Sequence, residues 1–451
     1  MSRGEHQSKK LKHLGAALES GALAQVRRIL NNDLQAADVA HLLESSPPKE
    51  RNLLWGMIDD HNEGEVLQNL SDELQSWVMN RMSAQEMADA MSELDTDDVA
   101  DLLQNLPNTV TQEVLTSMDA QDRARIEVAL SYPEDSAGGL MNTDTVTVRP
   151  HITLEVVLRY LRRHRSLPEM TDSLLVVNRR DEFIGSLAIN KILVSDTDAT
   201  VREVMSTNII TINATMEDTE VARLFERHDL ISAPVIDPAS GKLLGRITID
   251  DVVDVIREDA DHSLMSMAGL DEDEDTFAPA LKSSRRRAVW LGINLLTAFL
   301  ASAVIGLFEA TIEQVVALAV LMPIVASMGG VAGSQTLTLM IRGQAVGHID
   351  GSNVRWLLSR EFLVGAGNGV LWGLVVASAT YFWFHDLKIS LIIAAAIIIN
   401  LIVAVMAGAF LPIWLKRLKI DPALAGSVLL TTITDVVGFF AFLGLAASFY
   451  F

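Results

Sequence analysis

The segment LLTTITDVVGFF, residues 429–440, sets one carboxylate, Asp435, inside an apolar run that extends from about 423 to 451. The run exceeds the ~20 residues that cross a hydrocarbon core, so it reads as a membrane span. Asp435 lies about a dozen residues from either end, and the membrane runs hold no basic residue to neutralise it. A carboxylate at that depth is costly enough to be a functional candidate by default; the bland alternative is a protonated, hydrogen-bonded Asp. Thr431, Thr432 and Thr434 flank it and Ser427 stands two turns below, so one helix can line a pathway with oxygen atoms.

Four more apolar stretches precede this one, at about 288–308, 315–341, 362–384 and 389–415. Buried helices of a soluble protein explain them poorly, because none has an amphipathic face. With the N-terminus inside, the cytoplasmic ends hold Arg285, Arg286, Arg287, Arg342, Arg355, Arg360, Lys416, Arg417 and Lys419, whereas the outer loops hold only Lys388. That asymmetry predicts a cytoplasmic N-terminus and an outside C-terminus. The second span contains PIVASMGGVAGSQTLT, residues 323–338, and its Pro and Gly residues predict a broken helix whose freed carbonyls face a water-filled path. Gly365, Gly369 and Gly373 in the third span form a small-residue packing stripe, facing a helix of the same or of a second subunit.

The remainder of the chain is of a different character. Residues 1–284 hold 51 acidic against 26 basic side chains, a net of −25, while residues 285–451 hold 7 against 10, a net of +3. An acidic balance of this size argues against nucleic acid as a partner and favours cations. The absence of cysteine excludes disulfides, thiolate metal sites and Cys nucleophiles. The polar start, MSRGEHQSKKLKH, is not expected to be a secretion signal. With 451 residues, 49% hydrophobic and 21% charged, and a mean hydropathy of +0.26, the chain has room for about three domains and is too apolar for an ordinary soluble enzyme.

From about 20 to 130, short amphipathic helices recur in DVAHLLESSPP, EMADAMSELD and DDVADLLQNLP, predicting an irregular helical superhelix. Glu65, Asp97, Asp98 and Asp101 gather at its turns, and Asp97 and Asp101 share a helix face; solvation and capping are the ordinary explanation. From 141 to 262 a strand and helix pattern repeats with a period of about 60 residues: LMNTDTVTVRP returns as VMSTNIITINA, and FIGSLAI as LLGRITI. Two β-α-β-β-α units follow, and they resemble a tandem pair of CBS modules, which sense adenine nucleotides or ions in other proteins. The second copy carries Gly245, Thr248 and Asp251 as G-x-x-T-x-x-D, where a hydroxyl can meet a phosphate and a carboxylate a ribose. The first copy has Ala188 and Asn190 instead, so the chain offers one such site, for ATP. Beyond the tandem, a helix to about residue 267 leads into the acidic run Asp271 to Asp275, which reads as a solvated linker because it lacks the glycine and terminal glutamate of a calcium loop.

Three strings, YPEDSAGGLM at 132–141, MPIVASMGGVAGSQ at 322–335 and IDPALAGSVLLTTITDVVG at 420–438, resemble the MgtE family of bacterial magnesium channels. The order of parts agrees over nearly the whole chain. The implied fold is multidomain: a tail (1–19), an all-α N-terminal superhelix (20–138), α+β tandem CBS modules (139–201 and 202–251), a linking helix with acidic linker (252–284), and an α-helical membrane bundle of five spans (285–451). The resemblance implies a non-enzymatic, magnesium-gated Mg2+ influx channel of the inner membrane and a homodimer with the pore between subunits. It places pore oxygens on Gly330, Ser334, Thr338, Ser427, Thr431 and Asp435. Sensing carboxylates map onto Glu65, Asp97, Asp101, Glu217, Asp229, Asp251 and Asp259, whereas His262 and Ser263 replace expected acids. Ser334 and Ser427 replace asparagines common in the family and Val331 follows Gly330, which predicts a roomier and more tolerant site.

Elementary physics reaches a similar reading. Magnesium keeps most of its waters and binds through few carboxylates, which suits one Asp435 per subunit with carbonyls and hydroxyls. A membrane potential of about 100 mV, inside negative, favours entry of a divalent ion by roughly 4.6 kcal/mol, so no pump is needed. An intramembrane metalloprotease is excluded, since His348 and His385, the only histidines beyond 284, lack an HExxH context. An anion pathway conflicts with Asp435; a CBS-regulated carrier of cobalt or manganese stays open as the alternative.

Overall fold

The computed structural model describes residues 22–163, 167–168, 170–270, 274–349 and 353–450. The chain forms two compact units, one of Met1–Ala260 with Asp273–Ala278, the other of Asp261–Glu272 with Pro279–Phe451. The predicted tail 1–19 and the acids Asp271 to Asp273 lie outside the described residues.

Among the described residues the first unit opens with nine short helices: α1 (Leu23–Arg28), α2 (Ala36–Glu44), α3 (Pro48–Trp55), α4 (Asp60–Gln68), α5 (Asp72–Met79), α6 (Ala84–Ala90), α7 (Thr96–Gln104), α8 (Asn108–Ser117) and α9 (Ala120–Ala129). A π-helical turn, Ile29–Asp33, extends α1. Local signals set their ends: Pro48 starts α3, and Ser83 with Glu86 forms a reciprocal capping box on α6. None is long enough to be stable alone. They hold one another through a continuous core that includes Leu43, Leu54, Leu67, Met79, Met91 and Leu103.

Two small sheets follow with the predicted repeat. The first module has β1 (Thr147–Val148), α10 (Leu154–Arg163), β2 (Ser173–Val177), β3 (Phe183–Ala188) and α11 (Ile189–Val194); a short α12 (Val201–Val204) leads on. The second has β4 (Ile212–Asn213), α13 (Asp218–His228), β5 (Ser232–Ile236), β6 (Leu243–Thr248) and α14 (Ile249–Met267). Both sheets run in sequence order with a parallel and then an antiparallel pair, and both slip register at the end of the middle strand. The 60-residue period is thus a repeat of structure.

The second unit holds five helices long and apolar enough to cross a membrane: α15 (Ala280–Gly306), then, after a short α16 (Glu309–Gln314), α17 (Ala317–Ala345), α18 (Val354–Phe384), α19 (Leu387–Arg417) and α20 (Pro422–Tyr450). The expected break in the second span is absent, because α17 runs unbroken through Pro323 and the glycines. Pro323 sits in its second turn and frees only the Ala319 carbonyl, while Gly329 and Gly333 are packing positions against neighbouring side chains. The glycine stripe of α18 packs within the same chain: a Cβ at Gly365, Gly369 or Gly373 would lie 3.3, 3.1 or 3.1 Å from α19 backbone. The last turns of α14 belong to this unit, where Met267 packs with Leu337, Leu411 and Leu430, and His262 approaches Asp421 at 3.4 Å.

The reading of residues 271–275 as solvated needs correction at its described end. Asp275 is clasped by Arg51 through two bonds of 2.7 and 3.2 Å, with side-chain exposures of 7% and 3%. Arg51 also donates to the Leu43 and Glu44 carbonyls, and Asp275 accepts from the Phe277 backbone. Composition marked the run as polar, whereas a single distant guanidinium removes the Asp275 side chain from water. Arg51→Met is expected to strand a buried carboxylate at a cost of about 3–5 kcal/mol, read as a lower unfolding midpoint of the full protein; adding Asp275→Leu should recover much of the loss.

Candidate functional site

Gly330, Ser334 and Thr338 fall four residues apart on α17, and Ser427, Thr431 and Asp435 fall four apart on α20. Four-residue spacing puts each trio on one helix face. Ser334, Thr338 and Thr431 are exposed in the single chain, Gly330, Ser427 and Asp435 half-buried, and a Cβ at Gly330 would meet nothing within 4 Å. Their neighbouring flanks are closed: Gly333 lies against Leu430, and Gly426 against Leu337. The two oxygen-bearing stripes therefore belong to two helices packed on each other, and both are open. The Thr431 hydroxyl donates to the Ser427 and Val428 carbonyls at 3.1 and 3.0 Å, which leaves its lone pairs available to a ligand. Asp435 has no ion-pair partner among the described residues, since no neighbouring charge acts on it.

Two groups of carboxylates crowd together in the cytoplasmic unit. In the first, Asp97 is buried, one of its oxygens has no hydrogen-bond partner, and burial followed by the charge of Asp251 pushes its carboxyl well above the ordinary range. Burial and then Asp251 raise Asp98 to about 7, and burial and then Asp250 raise Asp251 to about 7. Asp101 keeps some contact with water, yet desolvation in the crowd and the charges of Asp98, Glu134, Asp251 and Glu258 raise it well above 3.8. The second group surrounds Asp218, raised by burial and by Asp135, Asp259 and Glu217. Asp251 thus acts on both Asp97 and Asp101, and Glu217 and Asp259 both act on Asp218. Asp229 instead caps the far end of α13 in left-handed conformation, and Glu65 borders a 260 Å³ cavity with Asn31 and Asn62. Among the described residues no three carboxylates or imidazoles converge tightly enough to hold a metal ion.

At the second CBS module the Thr248 hydroxyl and backbone N–H donate to Asp251 at 3.0 and 3.1 Å, and the hydroxyl also meets Asp250. A Cβ on Gly245 would stand 2.6 Å from the Asn142 carbonyl, so this glycine admits a chain crossing of its own.

Comparison with known proteins decides the family. The family model for divalent cation transporters of the MgtE type matches residues 322–445, the MgtE intracellular N domain matches 34–135, and the CBS domain matches 137–195 and 201–258. The protein called magnesium transporter MgtE in Thermus thermophilus is 30% identical over 447 residues, covering 96% of this chain and 97% of that one. The chain belongs to the MgtE family. The Bacillus subtilis magnesium transporter MgtE is 29% identical over 432 residues, covering 96% of this chain and 95% of its own. A crystal structure of the cytosolic domain of the Mg2+ channel MgtE in complex with ATP is 31% identical, with a TM-score of 0.50, covering 54% of this chain and 98% of that one. Within this MgtE chain, two membrane groups escaped the hydropathy reading. Glu361, 3% exposed, accepts from Thr336 and pairs with Arg360; Asn400, 1% exposed, donates to the Val325 carbonyl. Glu361 lay just outside the assumed span, and a single amide does not alter a hydropathy window. Asp218 was missed because only the fold brings Asp135 and Asp259 to it.

The raised carboxyls make stability pH-dependent. Asp98 and Asp251 bind more protons folded than unfolded between 3.8 and about 7, so their contribution is present below that window and is lost as pH rises through it. With divalent ions chelated, the unfolding midpoint of the protein is expected to drop across this range, and Asp98→Asn with Asp251→Asn should flatten the slope.

Proposed function

We propose that the protein is a magnesium-selective influx channel, closed by cytosolic magnesium. The observation that carries this reading is the pair of open oxygen stripes on α17 and α20 around an unpaired carboxylate. A second copy facing those stripes would enclose a path, so the proposal includes a homodimer with Asp435 contributed by each subunit. Hydroxyls, the Gly330 carbonyl and Asp435 suit an ion that keeps its water shell. The basic residues at one end of the spans favour a cytoplasmic N-terminus in the inner membrane, so the potential drives cations inward. The relatives' printed names support magnesium as the cargo. Ser334 and Ser427, smaller than amides, favour tolerance of cobalt and manganese, the basis of the second reading.

Regulation in this proposal falls to the crowded carboxylates. Asp97, Asp101 and Asp251, and Asp218 with Glu217 and Asp259, repel in the compact state unless a proton or a divalent ion neutralises them. Cytosolic magnesium would favour that compact state by population shift, with Glu65 and Asp229 as outlying ligands. An ATP molecule at Gly245, Thr248 and Asp251 is supported by the ATP in the related cytosolic domain; it would have to displace the bonds between Thr248 and Asp251.

Ion uptake into proteoliposomes, with magnesium, calcium, manganese and cobalt compared, tests the pathway. Asp435→Asn keeps the side chain's size and removes its charge, and it is expected to abolish magnesium uptake in a folded protein; uptake near the unmodified rate would remove Asp435 from the mechanism.

Gating is read by protease protection of the cytoplasmic unit and by magnesium inhibition of flux. Asp97→Ala with Asp101→Ala should raise the magnesium concentration for both, and the fourfold variant with Asp251→Ala and Asp259→Ala should raise it further, within a range of about 5- to 150-fold. Unchanged protection and inhibition in the fourfold variant would reduce these acids to solubility charge.

A further inference from the structure

Between Ser390 and Trp414, α19 carries one polar side chain, Asn400, in the run LIIAAAIIINLIVAVMAGAF. Its amide is buried at 1% exposure and donates to the Val325 carbonyl at 2.8 Å. In a regular helix that same carbonyl accepts from the Gly329 N–H, so the amide reaches it across a residue without a side chain. A Cβ on Gly438 of α20 would stand 2.7 Å from the Asn400 nitrogen, and one on Gly329 of α17 would overlap it. One amide therefore separates two glycines on two different helices. Gly329 directly precedes Gly330, and Gly438 lies one turn beyond Asp435.

The Asn400 carbonyl oxygen has no hydrogen-bond partner among the described residues. Leucine has nearly the same branched shape and would leave no buried polar atom, so cohesion of the bundle alone does not call for an amide here.

We propose that Asn400 is a positioning residue for ion passage: seated between Gly329 and Gly438, its amide holds the Val325 carbonyl and so fixes the helix turns that lead to Gly330 and Asp435, and with them the fit of a hydrated divalent cation. This rests on the reading of those two residues as part of the pathway. The role resembles that of groups that orient metal ligands without touching the metal, whose loss typically costs about 10- to 100-fold in affinity or activity.

The test uses the full protein in liposomes, with magnesium and cobalt as probes and a thermal melt for each variant. Asn400→Leu is expected to melt at or above the unmodified midpoint, yet to raise half-saturating magnesium by about tenfold or more and to change the cobalt-to-magnesium uptake ratio. Unaltered half-saturation and ratio in a folded Asn400→Leu protein would overturn the proposal, whatever the maximal rate. Should that variant fail to fold, Gly438→Ala with and without Asn400→Ala gives the answer. The added methyl group displaces the amide, so it should raise half-saturating magnesium in the unmodified protein and add no further loss to Asn400→Ala; additive losses overturn the positioning role. Asp435→Asn runs in parallel. Normal uptake through it removes the pathway reading itself, whereas its failure beside unaltered Asn400→Leu kinetics removes only the positioning role.

Discussion

The structure is organised around carboxylates held in poorly solvated places without bases to match them. In water a carboxylate needs no partner; in hydrocarbon or in a crowded domain interior its charge is expensive. Among the described residues, Asp435 stands in a membrane helix with no opposite charge near it, and Asp97 is buried with an unbonded oxygen. Where the fold does tolerate a buried acid at rest, it supplies a base, as Arg51 does for Asp275 and Arg360 for Glu361. The contrast separates acids paired with a base from those that have none among the described residues.

Both halves apply this contrast by different means. In the membrane unit, glycines and a buried amide bring α17, α19 and α20 close on one side, so that oxygens remain on the other. In the cytoplasmic unit, helix ends and the second CBS module bring several acids together that repel one another until something positive arrives. A proton can fill that role, which gives the unit its pH response.

Much of this organisation was readable from sequence. Long uncharged runs can satisfy their backbone in a membrane only as helices, so the five spans and the isolation of Asp435 followed directly. The 60-residue repeat predicted two like sheets, and both appeared with the same order and slip. Family strings added the positions of Gly330, Ser334, Thr338, Ser427 and Thr431, and helical spacing explains why those positions form stripes.

What the sequence determined by itself was therefore local: period, hydropathy, spacing and the number of charges, each a property of neighbouring residues. Tertiary structure decided which distant groups meet. Pro323 and its glycines looked like a break, yet packing against Asn400 and Leu430 uses them within a continuous helix. Asp275 looked solvated until Arg51, 224 residues away, was folded onto it. Asp97, Asp101 and Asp251 came together while Glu65 and Asp229 did not. The physical reason is common to all of these cases: burial and electrostatic pairing depend on through-space distance, and chain separation does not encode that distance until the cores have formed.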